Sequence, residues 1–462
     1  MELDAEAGLK NRMRESSAND SVRGSRQAFH GANTLKGVPR LPARRQGLNR
    51  KRGAGPRVSA LQIYIHIPFC IGKCFYCDFC SAPAPQKTME VYGRALEREM
   101  ALYGRVYGKA AVATVFIGGG TPSLLPVPLM DRILETLHRH FNLLQGAEFT
   151  VEANPGVLSE EWLAMVKGHG ANRLSLGLQA AQDPLLGVLG RMHTFAQSVE
   201  AVEMARKQGF TNLNLDVMYG LPSQRPEDYG ETLRRAAALQ PSHISAYSLI
   251  LEEDTPLTAR IEAGELHLPP EENVVEMAEQ GRLWLEEMGY RQYEISNFAK
   301  PGFECRHNLG YWRGSWYLGL GVAAASMMPL PPGRLRQGET LPPENPCYLR
   351  WENIRDRKEY EARLRQDLLP IGEEHIIGRK EAMFETMMLG LRTTDGVGER
   401  DFESRFGVPL GRAYGKVMEA LVKEGLGQWK EGEAGCGGQR TFSLTPAGIL
   451  LQNQVLLRIM DE

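Results

Sequence analysis

Three cysteines carry the first chemical signal in this 462-residue chain. Cys70, Cys74 and Cys77 are spaced C-x-x-x-C-x-x-C within Tyr64 to Ser81, YIHIPFCIGKCFYCDFCS. An alternating apolar run, Ile63, Ile65 and Ile67, precedes them and reads as a buried strand; Pro68 ends it, so the cysteines fall in a loop. Three thiolates on one short loop can hold three corners of a [4Fe–4S] cube. The fourth iron then lacks a nearby cysteine and stays open to a small molecule. Other metals and pairings fit less well. Zinc usually takes four ligands, and no second, separate C-x-x-C or H-x-x-H pair occurs outside the Cys70–Cys80 stretch. A disulfide framework belongs to small secreted proteins, whereas this chain is large and shows no secretory signal.

Further groups sit where predicted strands end. Gly118 to Ser123 reads GGGTPS; glycines let backbone N–H groups come close to a ligand. Glu152, in EANP, offers a carboxylate to an amino group or hydroxyls. Leu178-Gln179 closes a fourth strand, with Arg191 twelve residues on, and Asp216 lies near the end of a fifth. By themselves an Arg beside a Leu-rich helix is a surface group and an Asp at that place caps a turn. Downstream, His307-Asn308-Leu309-Gly310-Tyr311-Trp312 sets an imidazole among aromatic rings. Such a group can ligate haem iron while the rings pack on the porphyrin, or it can be a paired histidine in a polar core. Cys305 is a second candidate axial ligand.

Stepping between these motifs, strand-like runs begin near Gln62, Ala113, Glu148, Arg173, Asn212 and His243, separated by amphipathic helical stretches. Repeated strand–helix units imply a parallel sheet, and right-handed crossovers curl it toward a barrel with its site at the C-terminal strand ends. The chain divides into four parts. Residues 1–59 form a disordered basic extension, with ten Lys or Arg and no acid between Ser21 and Ser59. Residues 60–300 form the barrel, 301–375 the histidine motif and a connector, and 376–462 a small C-terminal domain. Three helices and a hairpin make that last part winged-helix-like. Its charges are mixed and the chain's net charge is −2, so no nucleic-acid partner is expected. Seven cysteines, four of them clustered, suit a reducing compartment, and no run reaches membrane-span length; a cytoplasmic setting follows.

The cysteine stretch, with aromatic Tyr76 before the third Cys, resembles the radical S-adenosylmethionine (SAM) superfamily. That resemblance implies a partial (β/α)6 barrel, a [4Fe–4S] cluster and SAM, whose amino and carboxylate groups chelate the open iron. An electron from the cluster then cleaves SAM to methionine and a 5′-deoxyadenosyl radical. HIPFC and CDF narrow the likeness to the group holding the oxygen-independent coproporphyrinogen III oxidases and the haem chaperone HemW branch. By resemblance, Gly119, Gly120 and Thr121 bind the methionine part of SAM, and Tyr64, Glu152, Gln179, Arg191 and Asp216 match its other contacts. Ile250 packs near adenine, and H-N-x-x-Y-W matches the motif associated with haem, placing His307 at the haem. The oxidases carry a fourth cysteine where this chain has Phe79; Cys80 comes one residue later, and CDFCS matches the chaperone pattern CDF-x-S. Relatives read G-x-G-A-H-S where this chain has Ala325 in place of the histidine. The reading is a haem chaperone binding cluster, SAM and haem. Its partners are haem, haem-acceptor proteins (membrane-associated ones among the candidates) and an electron donor. Alternatives are coproporphyrinogen III decarboxylation, radical methylation or opening of a haem ring, and a nucleic-acid factor built on the C-terminal module.

Overall fold

The computed structural model describes residues 60–329, 348–432 and 438–461. The basic extension, Cys347 and Cys436 lie outside them. Six strands run parallel in chain order: β1 (Leu61–Ile67), β2 (Ala111–Gly119), β3 (Asn142–Ala153), β4 (Arg173–Gln179), β5 (Asn212–Tyr219) and β6 (His243–Ser248). Between them lie α1 (Gln86–Tyr107), α2 (Val127–His140), α3 (Glu160–Gly168), α4 (Asp183–Val188), α5 (Phe195–Lys207) and α6 (Pro226–Ala238). This is the expected partial (β/α)6 barrel.

Each strand has two unlike faces. Ile63, Ile65 and Ile67, with Val115, Ile117, Leu174, Leu176, Leu213 and Leu215, are buried in the main apolar core. The alternate residues are polar and meet across the sheet. Gln62 Nε2 donates to Thr114 Oγ1 on β2, and Asn214 Nδ2 on β5 donates to Ser175 Oγ on β4. Parallel strands covered on both faces usually read as continuous apolar runs. Here period 2 gives an apolar outside and a polar lumen.

The chain continues through α7 (Pro256–Glu262) and α8 (Glu271–Glu287) to two short strands, β7 (Arg291–Gln292) and β8 (Asn297–Ala299). These two form a small antiparallel pair, with β8 against β6. Next comes α9 (Arg306–Trp312), the helix of the histidine motif.

The connector expected within 301–375 is corrected where the structure describes it; 330–347 lie outside the described residues. β9 (Tyr317–Leu320) pairs parallel with β1, and β10 (Ala325–Pro329), β11 (Tyr348–Asn353) and β12 (Ile371–Ile377) extend the same sheet antiparallel to twelve strands. α10 (Arg357–Arg365) lies between β11 and β12. The last strand is an exposed, charged edge, which blunts further pairing and hides the alternation that marks a strand. The small domain packs α11 (Arg379–Gly390), α12 (Glu399–Phe406) and α13 (Leu410–Lys423) with a three-stranded antiparallel sheet of β13 (Val397–Gly398), β14 (Gly427–Lys430) and β15 (Thr441–Leu444). The chain ends in two helices that meet at Leu451, α14 (Pro446–Leu450) and α15 (Gln452–Met460).

Helix α1 holds the extension to the barrel through a buried polar stripe. Glu99 accepts from Gly321 N at 2.7 Å, Asn353 Nδ2 at 2.7 Å and Tyr360 OH at 2.6 Å. Tyr92 OH donates to His66 O at 2.7 Å, and Trp351 Nε1 donates to Tyr103 OH at 3.1 Å. Burial pushes the Glu99 carboxyl up to about 7 against these three donors. Its folded value lies above its ordinary 4.5, so its contribution is full at acid pH and is lost as pH rises through about 7. Glu99→Gln removes that titration and one acceptor, at a cost of about 1–3 kcal/mol. Melting curves of the cluster-free proteins should show the wild-type advantage largest at acid pH and shrinking toward alkaline pH; a pH-independent gap would contradict the assignment.

Candidate cofactor site

The cysteine loop leaves β1 at Pro68 and is clipped at its base. Cys70 N donates to Ala82 O at 3.3 Å, and Ala82 N donates to Pro68 O at 3.1 Å. Its tip is held by Phe75, whose N donates to Leu189 O at 2.9 Å and whose O accepts from Leu257 N at 2.8 Å. Gly190, at positive φ, leaves room for the Phe75 ring. Cys70, Cys74 and Cys77 then line one cavity of about 430 Å³. Among the described residues no three His, Cys, Asp or Glu side chains converge to hold a single metal ion.

The glycine run passes beside this loop and is engaged by it. Gly120 N donates to Ile67 O at 2.8 Å, Thr121 N to Phe69 O at 2.7 Å, and Gly119 N to Glu152 Oε2 at 3.1 Å. The expectation that these amides face a ligand is therefore corrected: they line the cavity but their N–H groups splice the loop onto β1 and hold Glu152. Gly119 has φ 104°, and a Cβ there would strike the His66 ring. A Cβ on Gly120 would lie 2.6 Å from Phe69 O. The Thr121 hydroxyl donates to Cys70 Sγ at 3.6 Å.

Tyr76, Glu152, Gln179, Arg191 and Asp216 all line the cysteine cavity. Gln179 sits at φ 67°, rare for a residue with a side chain, beside a register shift between β4 and β5. Arg191 Nη2 donates to Gly177 O at 2.6 Å and Nη1 to Cys74 Sγ at 3.5 Å. Its Nε is buried with no partner among the described residues. Asp216 accepts from Asn214 Nδ2 at 2.8 Å and from Ser175 Oγ at 3.2 Å. Burial raises its carboxyl against those donors and the nearby Arg173 charge. Burial, then the Asp216 charge, push Glu152 up to about 7. Two destabilised carboxylates call for a cation, and an orphaned N–H calls for an acceptor. SAM offers ammonium, sulfonium and carboxylate, so the donor set fits it. Ser175, Met218 and Tyr247 also line the cavity and escaped the sequence reading. Polar residues two apart on one strand, Ser175 before Gly177 and Ser245 before Tyr247, were the available signal.

Two residues matched to SAM lie elsewhere. Ile250 does not line this cavity and is 44 % exposed, because β6 stops at Ser248 and the chain turns away. Tyr64 points from mid-β1 into a second cavity, of about 470 Å³, where its OH meets His66 Nδ1 at 3.0 Å. Phe116, His307, Tyr311, Tyr317 and Ala325 share that cavity, and Phe79, 60 % exposed, lines both.

His307 departs from the expected haem ligand. Its ring is 1 % exposed, with Nδ1 at 2.7 Å from Thr114 Oγ1 and Nε2 at 3.0 Å from Tyr311 OH. Burial, then the Arg173 charge, drive its pKa down to about 3, so it is neutral with both nitrogens engaged. Glu148 fixes the start of α9, accepting from Arg306 N at 2.8 Å and His307 N at 2.9 Å. Cys305 is fully buried, its thiol donates to Glu148 at 3.4 Å, and burial pushes it up to about 12. It cannot reach a ligand as a thiolate.

With this geometry described, comparison with known proteins is informative. The radical SAM superfamily pattern matches residues 64–236, and the HemN C-terminal domain pattern matches residues 377–434. The protein is a radical SAM protein. Heme chaperone HemW of Bacillus subtilis (strain 168) is 36 % identical over 400 residues, covering 86 % of this chain and 99 % of that one. Heme chaperone HemW of Escherichia coli (strain K12) is 36 % identical over 308 residues, covering 66 % and 80 %. The chain belongs to the HemW family. The solved structure of coproporphyrinogen III oxidase (HemN) from Escherichia coli overlays with TM-score 0.73 at 23 % identity, covering 87 % of this chain and 90 % of that one; it shows the shared fold.

The splice between glycines and cysteine loop is testable. Gly120→Ala places a Cβ 2.6 Å from a backbone oxygen that cannot yield locally. Iron retained after anaerobic reconstitution should fall well below wild type, although no thiol is altered. Full iron content would show that the loop tolerates the displacement.

Proposed function

We propose that the protein is a haem chaperone that carries a [4Fe–4S] cluster and SAM in the cysteine cavity, binds haem, and passes it to acceptor proteins. The observation that carries this is the 36 % identity to a heme chaperone HemW over 99 % of that relative's length. Phe79, standing where the oxidases have a fourth cysteine, supports the same branch. Cys70, Cys74 and Cys77 would hold three irons. When bound, the cluster supplies single electrons and, with SAM, the radical chemistry of the superfamily.

The chain's own residues orient what binds there. Arg191 keeps Cys74 in place and presents its unpartnered Nε–H to a carboxylate. Glu152 and Asp216 receive cationic or hydroxyl groups, and Gln179 and Tyr76 close the walls. Aromatic side chains of the His307 segment supply apolar surface for porphyrin. No helix among the described residues is long and apolar enough to cross a membrane, and thiolate cluster ligands suit a reducing cytoplasm. Haem acceptors and a one-electron donor complete the set of partners.

SAM affinity should carry the signature of Glu152. Since its carboxyl titrates at about 7, ionisation on raising the pH through that value should tighten binding of a cationic ligand. Isothermal titration of the cluster-replete protein should show this in wild type and lose it in Glu152→Gln. Asp216→Ala should cost about 1 kcal/mol, roughly fivefold in Kd. Unchanged affinity and pH dependence in both would place SAM elsewhere.

The chaperone reading is tested directly by titrating haem into the protein, then adding an apo-haemoprotein and following transfer by absorbance. In parallel, coproporphyrinogen III, SAM and reductant are incubated anaerobically. Haem transfer without protoporphyrinogen formation is expected; decarboxylation detected by mass spectrometry would overturn the reading in favour of the oxidase.

A further inference from the structure

We infer that the second cavity is the haem compartment and that Cys80 supplies its iron ligand. This rests on the haem-chaperone reading above. At about 470 Å³ the cavity falls in the range of small-molecule sites, about 300–1,000 Å³. A continuous aromatic wall lines it: ring centroids lie 6.3 Å apart for Tyr64–Phe116, 5.3 Å for Phe116–His307, and 4.9 Å for both His307–Tyr311 and Tyr311–Tyr317. Such a wall suits the face of a flat macrocycle. Arg355 stands at the rim, its side chain 76 % exposed. It pairs through Nε with Glu352 at 2.6 Å, and a guanidinium has further donors for a propionate.

The choice of iron ligand follows by comparing the donors that line this chamber. His307 has both ring nitrogens engaged. So has His66, whose Nδ1 meets Tyr64 OH at 3.0 Å and whose Nε2 meets Cys80 O at 2.9 Å. Ala325 lines the same cavity and brings no donor to it. Cys80 lines it too, half-buried, with its thiol making a long 3.7 Å contact to Arg355 O. A thiol therefore stands in a chamber whose two imidazoles are both engaged. Thiolates are established axial ligands of haem iron. Ligation forms one S–Fe bond and releases the thiol proton to solvent, with no change of oxidation state. Burial raises the Cys80 thiol above its ordinary value and the Arg355 charge offsets part of that rise, so bonding to the iron itself has to drive the loss of the proton.

The test titrates haem into cluster-replete full-length protein and records affinity, the low-spin ferric electron paramagnetic resonance signal and the ferrous–carbonyl Soret band. Wild type is expected to show thiolate-type spectra, with the carbonyl band displaced to long wavelength. Cys80→Ser should lose them and bind haem about tenfold more weakly or worse, while keeping its cluster iron. Cys80→Ser combined with Ala325→His should regain affinity with imidazole-type spectra, since the new ring enters the same chamber. Unchanged spectra in Cys80→Ser, or loss of its cluster iron, would overturn the assignment of Cys80. No rescue by Ala325→His would place haem outside this cavity. Absence of haem binding by wild type would instead overturn the chaperone reading itself.

Discussion

Everything in the barrel depends on satisfying a polar lumen. Gln62, Thr114, Glu148, Arg173, Asn214 and His243 are buried where ordinary barrels pack branched apolar residues. Each unpaired group there would cost on the order of 1–3 kcal/mol. The answer is a shared hydrogen-bond system. Asn214 Oδ1 meets His243 Nδ1, His243 Nε2 meets Tyr293 OH at 2.7 Å, and Tyr293 OH accepts from Cys305 N at 3.2 Å. Glu148 takes the first amides of α9, and Gln62 Nε2 donates to His307 O at 2.9 Å. The histidine helix is thus part of the barrel's internal wiring. The same low-dielectric surroundings push Glu152 up to about 7 and His307 down to about 3. One environment makes the carboxylate receptive to a cation and the imidazole inert.

How much of this was legible varies with the kind of signal. Cysteine spacing, the glycine run and the carboxylates at strand ends are local patterns, and the structure brings them to one cavity. The use of the glycines was misread, because sequence shows that N–H groups are close to something but not which acceptor takes them. Tyr64, matched to a SAM contact, lines the neighbouring cavity and not the one with the cysteines. It alternates with Ile63 and Ile65, so it faces inward, yet inward includes two chambers on either side of the cysteine loop. The strands beyond residue 316 were missed where they lack period 2. In β12 the residues Gly372 to Ile376 are all exposed, so no buried face marks it. His307 reads equally as a ligand or as a paired core histidine, and its partners Thr114 and Tyr311 come from other elements or from the fold of its own helix, which sequence does not display.

The small domain is anchored on this extended sheet. Arg350 on β11 makes a two-pronged ion pair with Glu385 on α11, at 2.8 and 2.9 Å. Met327 and Tyr348 from the sheet enter the small domain's apolar core. The sheet extension is therefore a platform: clamped to the barrel by Glu99 on one side, it carries the C-terminal helices on the other.

Phe79 gives this architecture an evolutionary fragility. A single, mostly exposed ring is common to the walls of both chambers. A smaller side chain there would reshape a void of about 430 Å³ and one of about 470 Å³ at once. Under the proposed assignment, cluster and haem would meet across that one position. The boundary between a carrier that shelters its cargo and a catalyst that alters it would then be as thin as one side chain.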